Sequence, residues 1–226
     1  YRWAQAQDRD VMGIWMDIGQ PYRHKELAAV QGLGVPVRVI PCGVLREEWN
    51  NVPTPENQII PGRNGLMAHI GSMYGDEVWL VALLGEQHAY MVDKNQAFFD
   101  SASKYCSQIF GTPKLVKTPF ADRTKADIVR WALSAGITPE VMSRSVTCYD
   151  AEKQRCGRCS ACGKRWIAMV LNGIHEGHDT NPWESDWMRG YIPKIMEALK
   201  TGTHDHYSKD RCEETLAALK LVGVSP

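Results

Sequence analysis

An α/β fold, a parallel sheet with helices on both faces followed by a helical tail, is what this sequence predicts. Three observations lead there. Short β-branched runs alternate with helical segments, those runs are apolar throughout rather than every second residue, and the last stretch carries helical patterns with no strand between them.

Residues 10–16 form an apolar run that ends at Asp17-Ile18-Gly19, a buried strand. Residues 24–33 are rich in Ala and Leu and stop at glycines, which fits a helix. Residues 35–40 are a second strand closed by Pro41, and 43–62, with several Pro and Asn, read as a long loop. A helix over 64–74, a third strand over 77–84 ending at Gly85 and a loop over 86–93 follow. Next come a helix over 95–110 and a short strand over 114–118 stopped by Pro119. Thr124 is the expected N-cap of a helix running to Ser134 and ended by Gly136. Residues 164–171, 184–200 and 210–221 are the remaining helices. This divides the chain into an α/β domain over 1–140, a metal-binding region over 141–172 and a helical extension over 173–226.

Composition narrows the class. Of 226 residues, 44% are hydrophobic and 23% charged, which is ordinary for a globular chain and excludes disorder. Lys plus Arg and Asp plus Glu number 26 each, so no net field draws the chain to nucleic acid, and direct nucleic-acid binding is not expected. No run approaches the roughly 18 apolar residues of a membrane span. The first residues lack the apolar core of a secretion signal. With seven cysteines, an odd number, a disulfide framework is disfavoured, and a soluble, cytoplasmic protein is expected.

Four of those cysteines follow the pattern Cys148-x7-Cys156-x2-Cys159-x2-Cys162. Four thiolates within one turn-rich loop suit a tetrahedral ion, and Gly157 permits the tight turn between ligands. Arg155, Arg158, Lys164 and Arg165 surround them and favour thiolate over thiol. Structural zinc is the expected occupant. Four-thiolate iron has the same ligand requirement. With every position filled by protein, such an ion would hold the fold together rather than activate water.

The same residues carry a resemblance. Ser145-x2-Cys148-Tyr149, then Cys156-Gly157-x-Cys159-x2-Cys162-x2-Arg165, resembles the zinc signature of the 7-cyano-7-deazaguanine synthase family. Asp17-Ile18-Gly19-Gln20-x2-Arg23-His24-x-Glu26 is similar to that family's D-Y-G-Q-x-H-x-x-E stretch, with Ile18 and Pro21 as departures. Pro61-Gly62-Arg63-Asn64 matches its P-x-R-N helix start, and Asp93-x4-Phe98 its substrate loop. Thr118-Pro119, followed by Lys125-Ala126-Asp127-Ile128-Val129, matches T-P-x5-K-A-E-I-V. The resemblance covers roughly residues 1–172.

It implies an ATP pyrophosphatase fold with a five-stranded parallel sheet. The implied reaction turns 7-carboxy-7-deazaguanine, ammonia and ATP, with Mg2+, into a nitrile through adenylated intermediates. It also implies roles. Lys125, Arg63 and Asn64 are the catalytic candidates. Asp17, Gly19, Gln20, His24, Gly85, Asp93 and Phe98 are the substrate and nucleotide candidates, and the four cysteines hold zinc. His88 is a further proton-transfer candidate. A homodimer is compatible with the resemblance. Two other readings stay open: a paralogue that adenylates a different deazaguanine or a protein carboxylate, as in a defence system, and a non-catalytic zinc-stabilised module that binds a nucleotide or a partner. The family opens with a strand and an S-G-G-x-D-S phosphate loop, and residues 1–4 align with the helix after it. A strand and a Gly- and Ser-rich loop are therefore expected before Tyr1.

Overall fold

The computed structural model describes residues 1–43, 62–86, 92–204 and 207–225. Most of the loop expected over 43–62 lies outside them, as do Pro61 and His88. Among the described residues, no helix is long and apolar enough to cross a membrane.

The first half alternates as expected. After a single helical turn, α1 (Arg2–Gln5), come β1 (Gly13–Asp17), α2 (Arg23–Gln31) and β2 (Val37–Pro41). Then follow α3 (Arg63–Ser72), β3 (Glu77–Trp79), α4 (Gln96–Phe110), β4 (Leu115–Lys117) and α5 (Lys125–Ser134). Caps explain several boundaries. The Asn95 side chain accepts from Phe98 N at 2.9 Å to start α4. Thr124 and Asp127 close a reciprocal capping box at the head of α5.

Two expectations need correction. The strands form two separate parallel pairs among the described residues, not one continuous sheet: β1 pairs with β2 from Gly13↔Val37 to Asp17↔Pro41, and β3 with β4 from Glu77↔Leu115 to Trp79↔Lys117. A groove of about 450 Å3 lies between the pairs, lined by Ile14 and Met16 of β1 and by Val78 and Trp79 of β3. Across it no backbone ladder can form. The strand expected over 77–84 is shorter, because its partner chain reaches Thr118 and then Pro119. Proline offers no N–H to continue the ladder. Instead the Thr118 hydroxyl accepts from Ala82 N at 3.1 Å and donates to Ala82 O at 2.7 Å. A 3-10 turn (Leu84–Glu86) follows, held to the loop before α5 by Leu84 N donating to Arg123 O at 2.9 Å.

A short helix that the periodicity missed, α6 (Pro139–Ser143), is capped by Thr138 with Pro139 at its first turn. Beyond the cysteine cluster come α7 (Ser160–Val170), a 3-10 turn (Pro182–Glu184), α8 (Asp186–Thr201) and α9 (Lys209–Leu221). Helix α7 is hydrophobic on two sides, and the core shows why. Ala168 and Met169 pack with Ala126 and Val129 of α5. Trp166, Ile167 and Val170 join Met188, Tyr191 and Ile195 of α8 and Cys212 and Leu219 of α9. A methyl group on Gly163 would lie 2.3 Å from the Trp187 ring, so the bare glycine permits this close seating. The two terminal helices therefore share one core with α7.

Candidate active site and metal centre

The four cysteines do converge. Their sulfurs lie within 4.8 Å of one another. Thiolates at about 2.3 Å from one zinc ion would stand about 3.8 Å apart, so the donor set and its spread fit a tetrahedral ion. The local backbone is arranged for charged sulfur. Cys156 N donates to Cys148 Sγ, Arg158 N to Cys156 Sγ, and Cys162 N to Cys159 Sγ, each at 3.4 Å. The Cys162 side chain beside it draws the Cys159 thiol down to about 4, against the effect of burial. Gly157 turns the chain at φ +74°, and any Cβ there would fall 1.7 Å from Thr180 O. The cluster can hold a metal ion such as zinc.

Buried ion pairs lock this knuckle to the rest of the protein. Arg165 donates from Nε to Glu176 Oε2 at 2.6 Å and from Nη2 to Glu176 Oε1 at 2.8 Å. It also reaches Ser145 Oγ at 2.7 Å and Met142 O at 2.9 Å. Arg155 meets the same carboxylate at 3.2 Å. Burial would push the Glu176 carboxyl up, but the two arginines outweigh it and hold it below the usual range. From the other side, the buried Lys25 of α2 donates to Lys153 O at 2.6 Å and to Asp150 O.

A second cluster gathers beside the knuckle, past the carboxyl ends of β3 and β4. Glu86, in the turn holding Gly85, pairs with Lys94 at 3.5 Å. It also feels Lys125 at the head of α5 and Lys164 of α7. Burial works to raise the Glu86 carboxyl, and these three cations hold it low. Lys125 is displaced the other way: burial pushes its ammonium below the ordinary lysine range, only partly offset by Glu86. Burial, then Arg211 and Lys125, bring Lys164 down to about 8. Like charges here are crowded and poorly hydrated.

Arg63 and Asn64 open α3 near this cluster. Asn64 Nδ2 donates to Asp93 O at 3.1 Å, tying the helix start to the segment that carries Asp93. Among the described residues, Arg63 Nε is buried with no hydrogen-bond partner. Tyr22 and Tyr149 lie with ring centroids 5.7 Å apart. Burial raises the hydroxyls of both, and Arg63 acts on both to lower them, so all three share one neighbourhood. Phe98 is half-buried and packs against Phe99, with ring centroids 5.4 Å apart.

The stretch from Asp17 to His24 is built differently from the rest. Asp17 Oδ1 accepts from Gly19 N at 2.9 Å, and Gln20 is buried with its amide on Glu26 at 2.6 Å. Those side chains hold their own turn at the end of β1, and His24 is exposed. The residue of this stretch that meets the Arg63 group is Tyr22. Glu86, Lys94, Tyr22, Tyr149 and Arg211 were not among the sequence candidates. Lys164 was noticed only as a neighbour of the cysteines.

Residues 42–173 match the family model described as queuosine biosynthesis protein QueC. A 7-cyano-7-deazaguanine synthase of Ruegeria sp. is 31% identical over 184 residues, which is 70% of this chain and 77% of the relative. The enzyme of that name from Alteromonas mediterranea is 25% identical over 75% of this chain and 87% of its own length. That of Archaeoglobus fulgidus is 32% identical over 63% of this chain and 58% of its own length.

Proposed function

This chain belongs to the QueC family, and from that premise we propose that it is an ATP-dependent 7-cyano-7-deazaguanine synthase. One observation carries the reading. The matched region contains Arg63, Asn64, Lys125 and all four cysteines, and these fold into adjoining clusters rather than scattering over the surface.

The chemistry starts from a poor electrophile. A carboxylate is anionic and has no good leaving group. Attack of its oxygen on the α-phosphorus of ATP releases pyrophosphate and makes an acyl adenylate. Ammonia then adds at the acyl carbon, and AMP leaves with formation of the amide. A second adenylation, on the amide oxygen, again releases pyrophosphate. Loss of AMP and a proton from that species gives the nitrile. Each step builds negative charge on oxygen, so the protein's task is to fix the reactants and to oppose that charge.

Residue roles follow from the surroundings. Arg63, with a buried donor free among the described residues, binds the carboxylate or the oxyanion derived from it. Lys125 stabilises phosphoryl oxygens, and Glu86 keeps the local cations in place. Asn64 positions the loop through Asp93 O. Asp93 accepts N–H groups of the deazaguanine, and Phe98 packs beside its ring. Asp17, Gly19 and Gln20 shape the turn that presents Tyr22. Mg2+ accompanies the ATP phosphates. Cys148, Cys156, Cys159 and Cys162 would hold zinc, which when bound would cross-link the knuckle and add to folding free energy.

The assay is direct. The protein with ATP, Mg2+, ammonia and 7-carboxy-7-deazaguanine should yield the nitrile with two AMP per product. Lys125→Met should lower kcat by at least about a hundredfold. Product formation without AMP, or a Lys125→Met variant as active as the parent, overturns the reading.

A further inference from the structure

A basic cavity lies where the last helix meets the α/β body. Its space for water centres is about 60 Å3, where about 10–15 Å3 is enough for one water, so it has room for a small anionic group. Its charged residues come from four elements: Glu86, Lys125, Lys164 and, from α9, Arg211 and Glu214. Three of these are cations. Of the two carboxylates, Glu86 is already engaged by Lys94 at 3.5 Å. Thr124 and Ser208, the N-caps of α5 and α9, both line the cavity, so two helix starts add to the positive potential.

Arg211 is held in an unusual way. Its guanidinium carbon lies 5.1 Å from the centroid of the Tyr191 ring and 5.4 Å from that of Tyr207. The two rings meet edge to face, 5.2 Å apart at 75°. Contact with aromatic rings holds a guanidinium in place without a carboxylate partner. Among the described residues, no carboxylate approaches Arg211 within 4.0 Å. The charge is fixed in position without being neutralised there. The family match ends at residue 173, so Arg211 comes from a part of the chain outside it.

We propose that Arg211 is an anion-binding residue of this cavity, gripping one phosphoryl group together with Lys125, so that the C-terminal helix forms a wall of the site. A phosphoryl group suits three cations and the small volume, and its oxygens match the planar donors of arginine. The proposal rests on the reading of Lys125 as part of the site.

The test is calorimetric titration of the full chain with inorganic pyrophosphate, AMP and 7-carboxy-7-deazaguanine at low and high salt. Pyrophosphate should bind, more weakly as salt rises. Arg211→Gln should weaken it about tenfold, and Arg211→Lys by less. Lys209→Gln, an exposed neighbour, should leave binding unchanged. If Arg211→Gln binds pyrophosphate as the parent does, the proposal fails, while synthase activity that depends on Lys125 still stands. Binding of the deazaguanine carboxylate alone, weakened by Arg211→Gln, overturns the phosphoryl assignment. Where the glutamine variant does not fold, phenylglyoxal labelling of the parent decides. Pyrophosphate should protect Arg211 and not the exposed Arg189, and an unprotected Arg211 overturns the proposal.

Discussion

Replacing Glu176 by glutamine tests how the knuckle is fastened. The change keeps shape and removes one buried charge. Both Glu176 and Arg165 side chains are only 5% exposed, and Arg155 beside them is 14% exposed. Removing one member of a buried pair typically costs about 3–5 kcal/mol, because its partner stays charged and dry. Here Arg165 keeps Ser145 Oγ and Met142 O, and the new amide oxygen can still accept one bond. That points to the lower end, about 3 kcal/mol. Urea unfolding followed by tryptophan fluorescence reads it, since Trp166 and Trp183 lie in the adjoining core. A double change to Arg165→Met and Glu176→Leu should cost less than the single one, because the most buried charge is removed with its partner and only Arg155, which keeps Ser143 O, loses an ion pair. The pH dependence has a definite sign. A carboxyl held below its ordinary range contributes stability that is complete above the unfolded pKa, about 4.3. That contribution disappears as pH falls through the folded value. The gap between parent and Glu176→Gln should therefore narrow in acid. A loss under about 1 kcal/mol at neutral pH, or a gap that widens in acid, refutes the argument.

Other perturbations follow from the same contacts. Gly157→Ala must either hold an L residue in the left-handed conformation, which alone costs about 1–2 kcal/mol, or rebuild the turn, and its Cβ must also displace Thr180 O; elemental analysis should show less zinc per chain, and full zinc with an unchanged Tm would contradict this. Cys159→Ser should lose metal and folded yield together, and a metal-free variant with native circular dichroism would sink the structural role of the ion. Thr124→Ala removes the cap of α5 and should cost about 1 kcal/mol in denaturant titration, with no change meaning that the cap is dispensable.

Much of this protein was legible along the chain. Ligand spacing marks Cys148, Cys156, Cys159 and Cys162 because a metal knuckle is a local structure, made by residues a few positions apart. Helix ends were legible for the same reason: Thr124 and Asn95 cap the turns that begin beside them. Arg63, Asn64 and Lys125 are candidates through short motifs, and their roles belong to the proposed function.

What depended on tertiary structure was everything set by distance across the chain. Strand pairing was one case: local apolarity reveals a strand but not its neighbours, so one sheet was expected where two pairs stand apart. The Asp17 to Gln20 turn was another, since only the fold shows that Gln20 serves Glu26 and that Tyr22 faces Tyr149. Arg211 is the clearest. Nothing near it in sequence distinguishes it from a solvated helix charge. It becomes part of a basic cavity because α7 shows one face to α5 and the other to the terminal helices, and that packing sets Arg211 beside Lys125. Local chemistry is written in short spacings. Electrostatic neighbourhoods arise only when burial brings distant charges into the same poorly hydrated space.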